Sequence, residues 1–251
     1  MLENTIKEEK TKPVQDMQHY FEPYIPHLAI DCVIFGFHEN ELKVLLSKFP
    51  GLDLWALQGG FILKNEDIDV AAVRILKEQT SLTDIYLKQY HTFGKTNRST
   101  YSDSLLKALE GHPIDVQSIP FLQQRFISIG YYSLVDFRQV TPSVNLYFER
   151  SEWHDINNLP ELIFDYAEMI KTALAAMRQL LDYQLIGFNL MPETFTMKEL
   201  QRLYETILGE TLKRNSFQEK ILNLNILERL EKQYSGGAHK APYLYRFKND
   251  V

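Results

Sequence analysis

The chain has 251 residues, 45% of them apolar and 24% charged, with a formal net charge of −6; at roughly 150 residues per domain this is material for two modest domains. A mean hydropathy of −0.27, with no uncharged apolar run near the roughly 20 residues of a bilayer span, excludes a helical membrane protein. Cys32 is the single cysteine, which forbids an intrachain disulfide and a multi-cysteine metal site and makes the thiol a small buried hydrophobe.

The opening residues hold no basic stretch followed by an apolar one, so no secretory signal is read there and a cytoplasmic location is expected. Residues 1–22 are polar, mixed in charge and broken by Pro13, the composition of a flexible arm. LAIDCVIFGF from Leu28 and ELKVLLSKF from Glu41 are rich in β-branched and aromatic residues and predict two strands joined by a turn. WALQGGFIL at Trp55–Leu63 predicts a strand with paired glycines; Ile68, Ala71, Ala72, Ile75 and Leu76 then recur at helical spacing behind Asp67, a suitable N-cap. RFISIGYYSLV from Arg125 and SVNLYFE from Ser143 predict further strands, and residues 97–124 read as a polar insertion with a short helix. After Pro160, the run ELIFDYAEMIKTALAAMRQLLDYQLI contains no Gly or Pro and predicts one long helix joining two halves.

Beyond Pro192, the residues Met197, Leu200, Leu203, Tyr204, Ile207 and Leu208 recur at three- and four-residue spacing, Thr196 and Glu199 fit a capping box, and Gly209 is a natural stop. A second helix over Ser216–Leu222 follows, then ILERLEKQY, a turn at Gly236-Gly237, and the aromatic strand PYLYRF. Helix, turn, helix and glycine-turned hairpin is the order of a winged helix-turn-helix, whose second helix enters the DNA major groove. Residues 207–248 hold 8 basic against 4 acidic residues, whereas residues 1–191 hold 17 against 25, so a local basic face sits on an acidic chain. Lys213, Arg214, Asn215, Ser216 and Gln218 open the second helix and are the candidate contacts to base edges and phosphates. His239, Lys240 and Arg246 are the candidates at the hairpin. Tyr204, Phe217, Tyr243 and Tyr245 recur at helix or strand spacing and are assigned to the core.

Gly60, Glu66, Arg74, Leu76, Glu78 and Leu82 fall at the spacing of the Nudix pattern, and the first part of the chain resembles that superfamily. The resemblance implies a helix whose carboxylates hold magnesium against a diphosphate, since a hard cation takes anionic oxygen ligands. Three positions depart from it: Ile75 and Gln79 stand where the pattern has glutamates, and Ser81 where it has glycine. One remaining helix carboxylate, Glu78, cannot both neutralise a divalent ion and activate water, so no hydrolysis, no catalytic residue, no metal site and no cofactor is expected. On a helix Arg74 and Glu78 are spaced to pair with each other.

WALQGGF at Trp55, SEWHDINNLPELIFDYAEMI from Ser151, the helix ending at Gly209, LKRNSFQEKIL from Leu212 and APYLYRF from Ala241 together resemble the Nudix-related transcriptional regulators over residues 24–248. That resemblance implies an α+β chain: an arm at 1–22, an N-terminal Nudix-like α/β/α sandwich with a mixed sheet at 23–160, a linker helix at 161–191 and a C-terminal winged helix at 192–251. It also implies a homodimeric repressor that binds a pseudo-palindromic double-stranded operator. By overall likeness the effector is expected to be L-arabinose or a related sugar and the regulated genes those of carbohydrate use. The alternatives are an ADP-ribose-sensing regulator of NAD metabolism, or an active hydrolase of nucleoside diphosphate derivatives. Asp31, the one charge inside LAIDCVIFGF, must find a partner or a ligand hydroxyl; Lys43, Gln58, Arg125 and Glu149 lie in or beside strands that can line the same cavity. These five are the candidate effector contacts.

Overall fold

A computed structural model describes residues 21–38, 40–80, 86–98, 121, 124–136, 140, 148–181, 190–232 and 241–248. The chain divides into two compact units, one of Met1–Gly36 with Lys43–Ala175 and one of Phe37–Leu42 with Ala176–Val251.

The first unit is organised on β1 (Tyr24–His38), followed by β2 (Glu41–Lys48), β3 (Trp55–Ala56), β4 (Gln58–Leu63), helix α1 (Ile68–Thr80), β5 (Lys88–Phe93), β6 (Ile127–Asp136), β7 (Arg150–Asp155) and helix α2 (Tyr166–Leu180). The strands order as β3-β2-β1-β6-β5, with β4 also paired to β1 and β7 to β2. Side chains alternate across a strand, so Ile30, Cys32 and Ile34 join Ile62, Ile129 and Tyr131 beneath Ala71, Ala72, Ile75 and Leu76 of α1. Asp31 belongs to the opposite face, where the Tyr166 hydroxyl at the start of α2 reaches it. Tyr166, Met169, Ile170, Ala173 and Met177 are the buried stripe of α2, the spacing of a helix lying on a sheet. This is the expected α+β layering of helix, sheet and helix.

Two strands were not predicted. β5 and β7 carry polar sequences, KQYHTF and RSEWHD, with mostly exposed or half-buried residues. β7 nevertheless pairs residue for residue with β2, from Lys43 opposite Asp155 to Lys48 opposite Arg150. The predicted helix over 161–186 begins five residues late. The Trp55 N–H donates to Glu161 O and the Ile163 N–H to Trp55 O, both at 3.0 Å, and Leu162 forms a parallel bridge with Trp55. Backbone groups engaged with β3 cannot join an α-helical ladder, and Phe164, at φ 52°, turns the chain before Tyr166. Phe21, assigned to the arm, is buried with its ring 4.7 Å from Phe121 and 5.7 Å from Phe61. Most of the predicted strand at 143–149 and of the insertion at 97–124 lies outside the described residues.

The second unit holds β8 (Phe195–Thr196), α3 (Met197–Leu208), α4 (Arg214–Asn223), β9 (Leu227–Lys232) and β10 (Tyr243–Phe247), with the strands ordered β8-β10-β9. The capping box is formed: Glu199 N–H donates to Thr196 Oγ1 and Thr196 N–H to Glu199 Oε2. Gly209 ends α3 at φ 73°, its N–H donating to Glu205 O at 2.8 Å. Leu200, Leu203, Tyr204 and Ile207 of α3 are buried, as are Phe217 and Ile221 of α4 and Tyr245 of β10, and the Tyr204 and Phe217 rings meet edge-on at 5.1 Å. Tyr243, assigned to the core with them, is instead 40% exposed. The division between the units falls inside α2, at Ala175.

Gly59 faces Asp31 across the β1–β4 ladder, and a Cβ there would stand 2.5 Å from Asp31 Oδ1 and 2.9 Å from Ile30 O. Gly59→Ala is expected to lower unfolding free energy by about 1–3 kcal/mol, the usual cost of overpacking. Gly94→Ala, whose new Cβ would meet only Ile127 at 3.8 Å, should change stability little. Equal denaturant midpoints for the two variants would refute this account of the Asp31 face.

Candidate effector site and nucleic-acid interface

The motif glutamate that precedes α1 is held by the motif arginine. Arg74 donates through Nε to Glu66 Oε1 at 2.7 Å and through its terminal nitrogen to Glu66 Oε2 at 2.8 Å, while Glu66 Oε2 also accepts the Leu63 N–H at 3.2 Å. This forked pair is largely shielded, Glu66 having 8% of its side chain exposed. Hydrogen bonding from Arg74 holds the Glu66 carboxyl below the ordinary glutamate range. The predicted Arg74–Glu78 pair is present but looser, at 3.3 Å with Glu78 59% exposed. Ile75 is buried under Gly60, whose added Cβ would stand 3.0 Å from Ile75 Cγ1. The buried Gln79 donates to the Gly59 carbonyl at 2.6 Å. A divalent cation needs several free anionic oxygens converging on one point. This helix offers an arginine-bound glutamate, an isoleucine, an amide and one exposed glutamate, and no group of three His, Cys, Asp or Glu among the described residues is placed to hold an ion. The donor set does not fit the metal that the Nudix frame implies.

The five candidate effector contacts do not converge. Asp31 is buried and saturated: it accepts from Arg98 at 2.8 Å, from Tyr166 at 3.0 Å and from Ser128 in a shorter bond. Arg98 Nε also lies 3.0 Å from Asp165 Oδ2, so one guanidinium serves two carboxylates. Burial raises the Asp165 carboxyl above its usual range, against the pull of Arg98, and burial likewise raises the Tyr166 hydroxyl. The carboxylate therefore found protein partners in place of a ligand hydroxyl. Gln58 is buried and exchanges two hydrogen bonds with Ser47, which is itself bonded to Ser151 at 2.7 Å; it is a rivet between β2, β4 and β7. Lys43 stands opposite Asp155 at one end of β2. Glu149, at the other end, accepts the Gly51 N–H at 3.3 Å and donates its own to Lys48 O. Arg125 precedes β6 and donates to Gly94 O at 2.8 Å. The Arg98–Asp31–Asp165 system escaped sequence reasoning because its members are 67 residues apart, with no motif to join them.

In the second unit the predicted helix contacts are presented together. Lys213, Arg214, Asn215 and Ser216 are exposed and Gln218 half-buried, and none of the five side chains makes a hydrogen bond or ion pair among the described residues. Phe217 and Ile221 bury the inner face of α4, which leaves these polar residues on the outside. Arg246 differs from expectation: its Nε lies 2.8 Å from Glu228 Oε2 across the β9–β10 pair, so its charge is already met. His239 and Lys240 lie outside the described residues.

Residues 187–247 match the family described as the NrtR DNA-binding winged helix domain. Over 229 residues the chain is 27% identical to the "ADPR responsive transcriptional repressor NtrR" of Acinetobacter baylyi, an alignment covering 88% of this chain and 82% of that protein. It is 26% identical over 160 residues to an ADP-ribose pyrophosphatase of Methanocaldococcus jannaschii, covering 62% of this chain and 78% of the relative. The crystal structure of Shewanella oneidensis NrtR complexed with a 27mer DNA superposes with a TM-score of 0.65 at 25% identity, covering 89% of this chain and 94% of that one. None of these three is named for arabinose or for carbohydrate use, so the expected link to arabinose and carbohydrate metabolism finds no support among them.

The Arg74–Glu66 pair predicts a pH dependence. A glutamate with a lowered folded pKa binds its proton more readily in the unfolded chain. The pair's contribution is therefore complete above the ordinary glutamate value of about 4.3 and is lost as pH falls through the lower folded value. Glu66→Gln should flatten the acid limb of unfolding free energy against pH, leaving the neutral plateau lower. An acid limb as steep as that of the unaltered chain would show that the pair carries no such linkage.

Proposed function

We propose that this chain, an NrtR-like, Nudix-fold regulator with a C-terminal winged-helix domain, is an ADP-ribose-responsive transcriptional repressor. ADP-ribose replaces L-arabinose as the effector, because the relative that aligns over most of the chain is a repressor named for it. The observation that carries the reading is the contrast between two sets of polar side chains. Those opening α4 have no side-chain partner among the described residues, whereas Glu66 and Gln79 of the Nudix frame are bound within the unit.

In this reading α4 enters the major groove. Arg214 can meet the two acceptors of a guanine edge with its planar fork, Asn215 can meet an adenine, and Lys213 and Ser216 lie where backbone phosphates pass. A single winged helix reads only a half-site, so a homodimer on a two-fold symmetric operator is the working assembly. ADP-ribose bound to the Nudix-like unit releases the operator by favouring the geometry that fits DNA less well, which requires a difference in its affinity for the two geometries. Binding proceeds without cleavage, since the helix lacks the carboxylates that would gather a cation.

Fluorescence anisotropy with duplexes from the DNA upstream of its own gene tests this. A specific duplex should be bound and then released as ADP-ribose is added, with arabinose inert. Arg214→Ala should weaken specific binding by about 1–3 kcal/mol with the fold intact. Failure of every upstream duplex to bind, or binding indifferent to ADP-ribose, overturns the proposal. Magnesium-dependent hydrolysis of ADP-ribose by the purified chain would favour the enzyme alternative, to which the pyrophosphatase relative points.

A further inference from the structure

The β9–β10 pair carries a cluster that none of the expected contacts uses. Two cations lie over the exposed ring of Tyr243: the Arg229 guanidinium carbon at 4.6 Å and Lys232 Nζ at 5.2 Å from its centroid. Tyr243 and Lys232 are direct partners in the strand register, and Arg229, three residues before Lys232, stands opposite Tyr245 across a register shift. Neither cation forms an ion pair among the described residues. Of the two acids on these strands, Glu228 is taken by Arg246, and Glu231 has no hydrogen bond or ion pair among the described residues. Two like charges gathered on one ring repel each other unless something negative lies between or beside them. The electron-rich ring face supplies part of that compensation, and an anion reaching both cations would supply the rest.

We propose that Arg229 and Lys232, spaced by Tyr243, form a phosphate clamp that takes a phosphodiester of duplex DNA. The proposal rests on the DNA-binding reading above and moves the hairpin contact from Arg246 to this ring-centred pair. The chemistry selects a phosphodiester because it offers two anionic oxygens to two donors gathered on one ring, and a guanidinium fork matches that pair of acceptors. Tyr243 is the positioning residue: its ring restricts both long side chains before binding, so less freedom is lost when the phosphate arrives. The contact carries no base information and sets the register in which α4 lies.

The test uses the full chain, a labelled duplex of arbitrary sequence and a salt series read by fluorescence anisotropy. Arg229→Ala and Lys232→Ala should each reduce the slope of log affinity against log salt by about 0.9, and the double variant by about twice that. Tyr243→Leu should lower affinity several-fold, while Tyr243→Phe, which keeps the ring, binds as the unaltered chain does. A double variant with an unchanged slope overturns the clamp, and so does a Tyr243→Phe variant as weak as Tyr243→Leu. The slopes of the two cation variants decide the matter even where Tyr243→Leu lowers the melting temperature. An unaltered chain that binds no duplex at any salt overturns the DNA-binding reading and the clamp with it. One that binds, is weakened by Arg214→Ala and ignores the hairpin variants overturns the clamp alone.

Discussion

A carboxylate in the middle of the central strand is tolerable only because three donors meet it. Asp31 is bonded by Arg98 from the turn after β5, by Ser128 of β6 and by Tyr166 at the first turn of α2. A buried charge left without such partners would be strongly destabilising. The layer of α2 on the sheet is therefore tied by a polar knot as well as by its apolar stripe. Arg98 extends the knot to Asp165 just before the helix, and the backbone of residues 161–163 holds the same approach against Trp55. Gly59 completes the arrangement by lacking a side chain where Asp31 needs room.

On the other face of β1 the polar positions of the Nudix spacing are engaged within the unit. Arg74 grips Glu66 at the head of α1 and also donates to the Phe61 carbonyl, fixing the loop between β4 and the helix. Ile75 joins the apolar cluster beneath the helix. The motif's spacing positions a helix on a strand, a packing requirement that these contacts meet.

Much of this was legible from residue patterns and some was not, for identifiable reasons. The capping box at Thr196 and Glu199, the stop at Gly209, the alternation along β1 and the Nudix spacing are local signals, and each appears in the structure. β5 and β7 were illegible because they are polar, and their pairing is dictated by neighbours far away in sequence. Residues 161–165 read as helix because propensity is local, while their hydrogen bonds to Trp55 are not. Asp31 was recognised as needing a partner, but a partner 67 residues distant leaves no trace in spacing. Tyr243 was misassigned because a two-residue period cannot distinguish the two faces of a hairpin once a register shift intervenes between Tyr243 and Tyr245.

The bond from Gln79 to the Gly59 carbonyl, at 2.6 Å, has an evolutionary corollary. Exchanging that amide for a carboxylate would set two acceptors face to face, which repel unless a proton or a cation intervenes. A glutamate at position 79 thus lowers stability before any other change is made. The position behaves as a ratchet: an amide settled against that carbonyl admits an acid only together with a second change that turns or removes the acceptor.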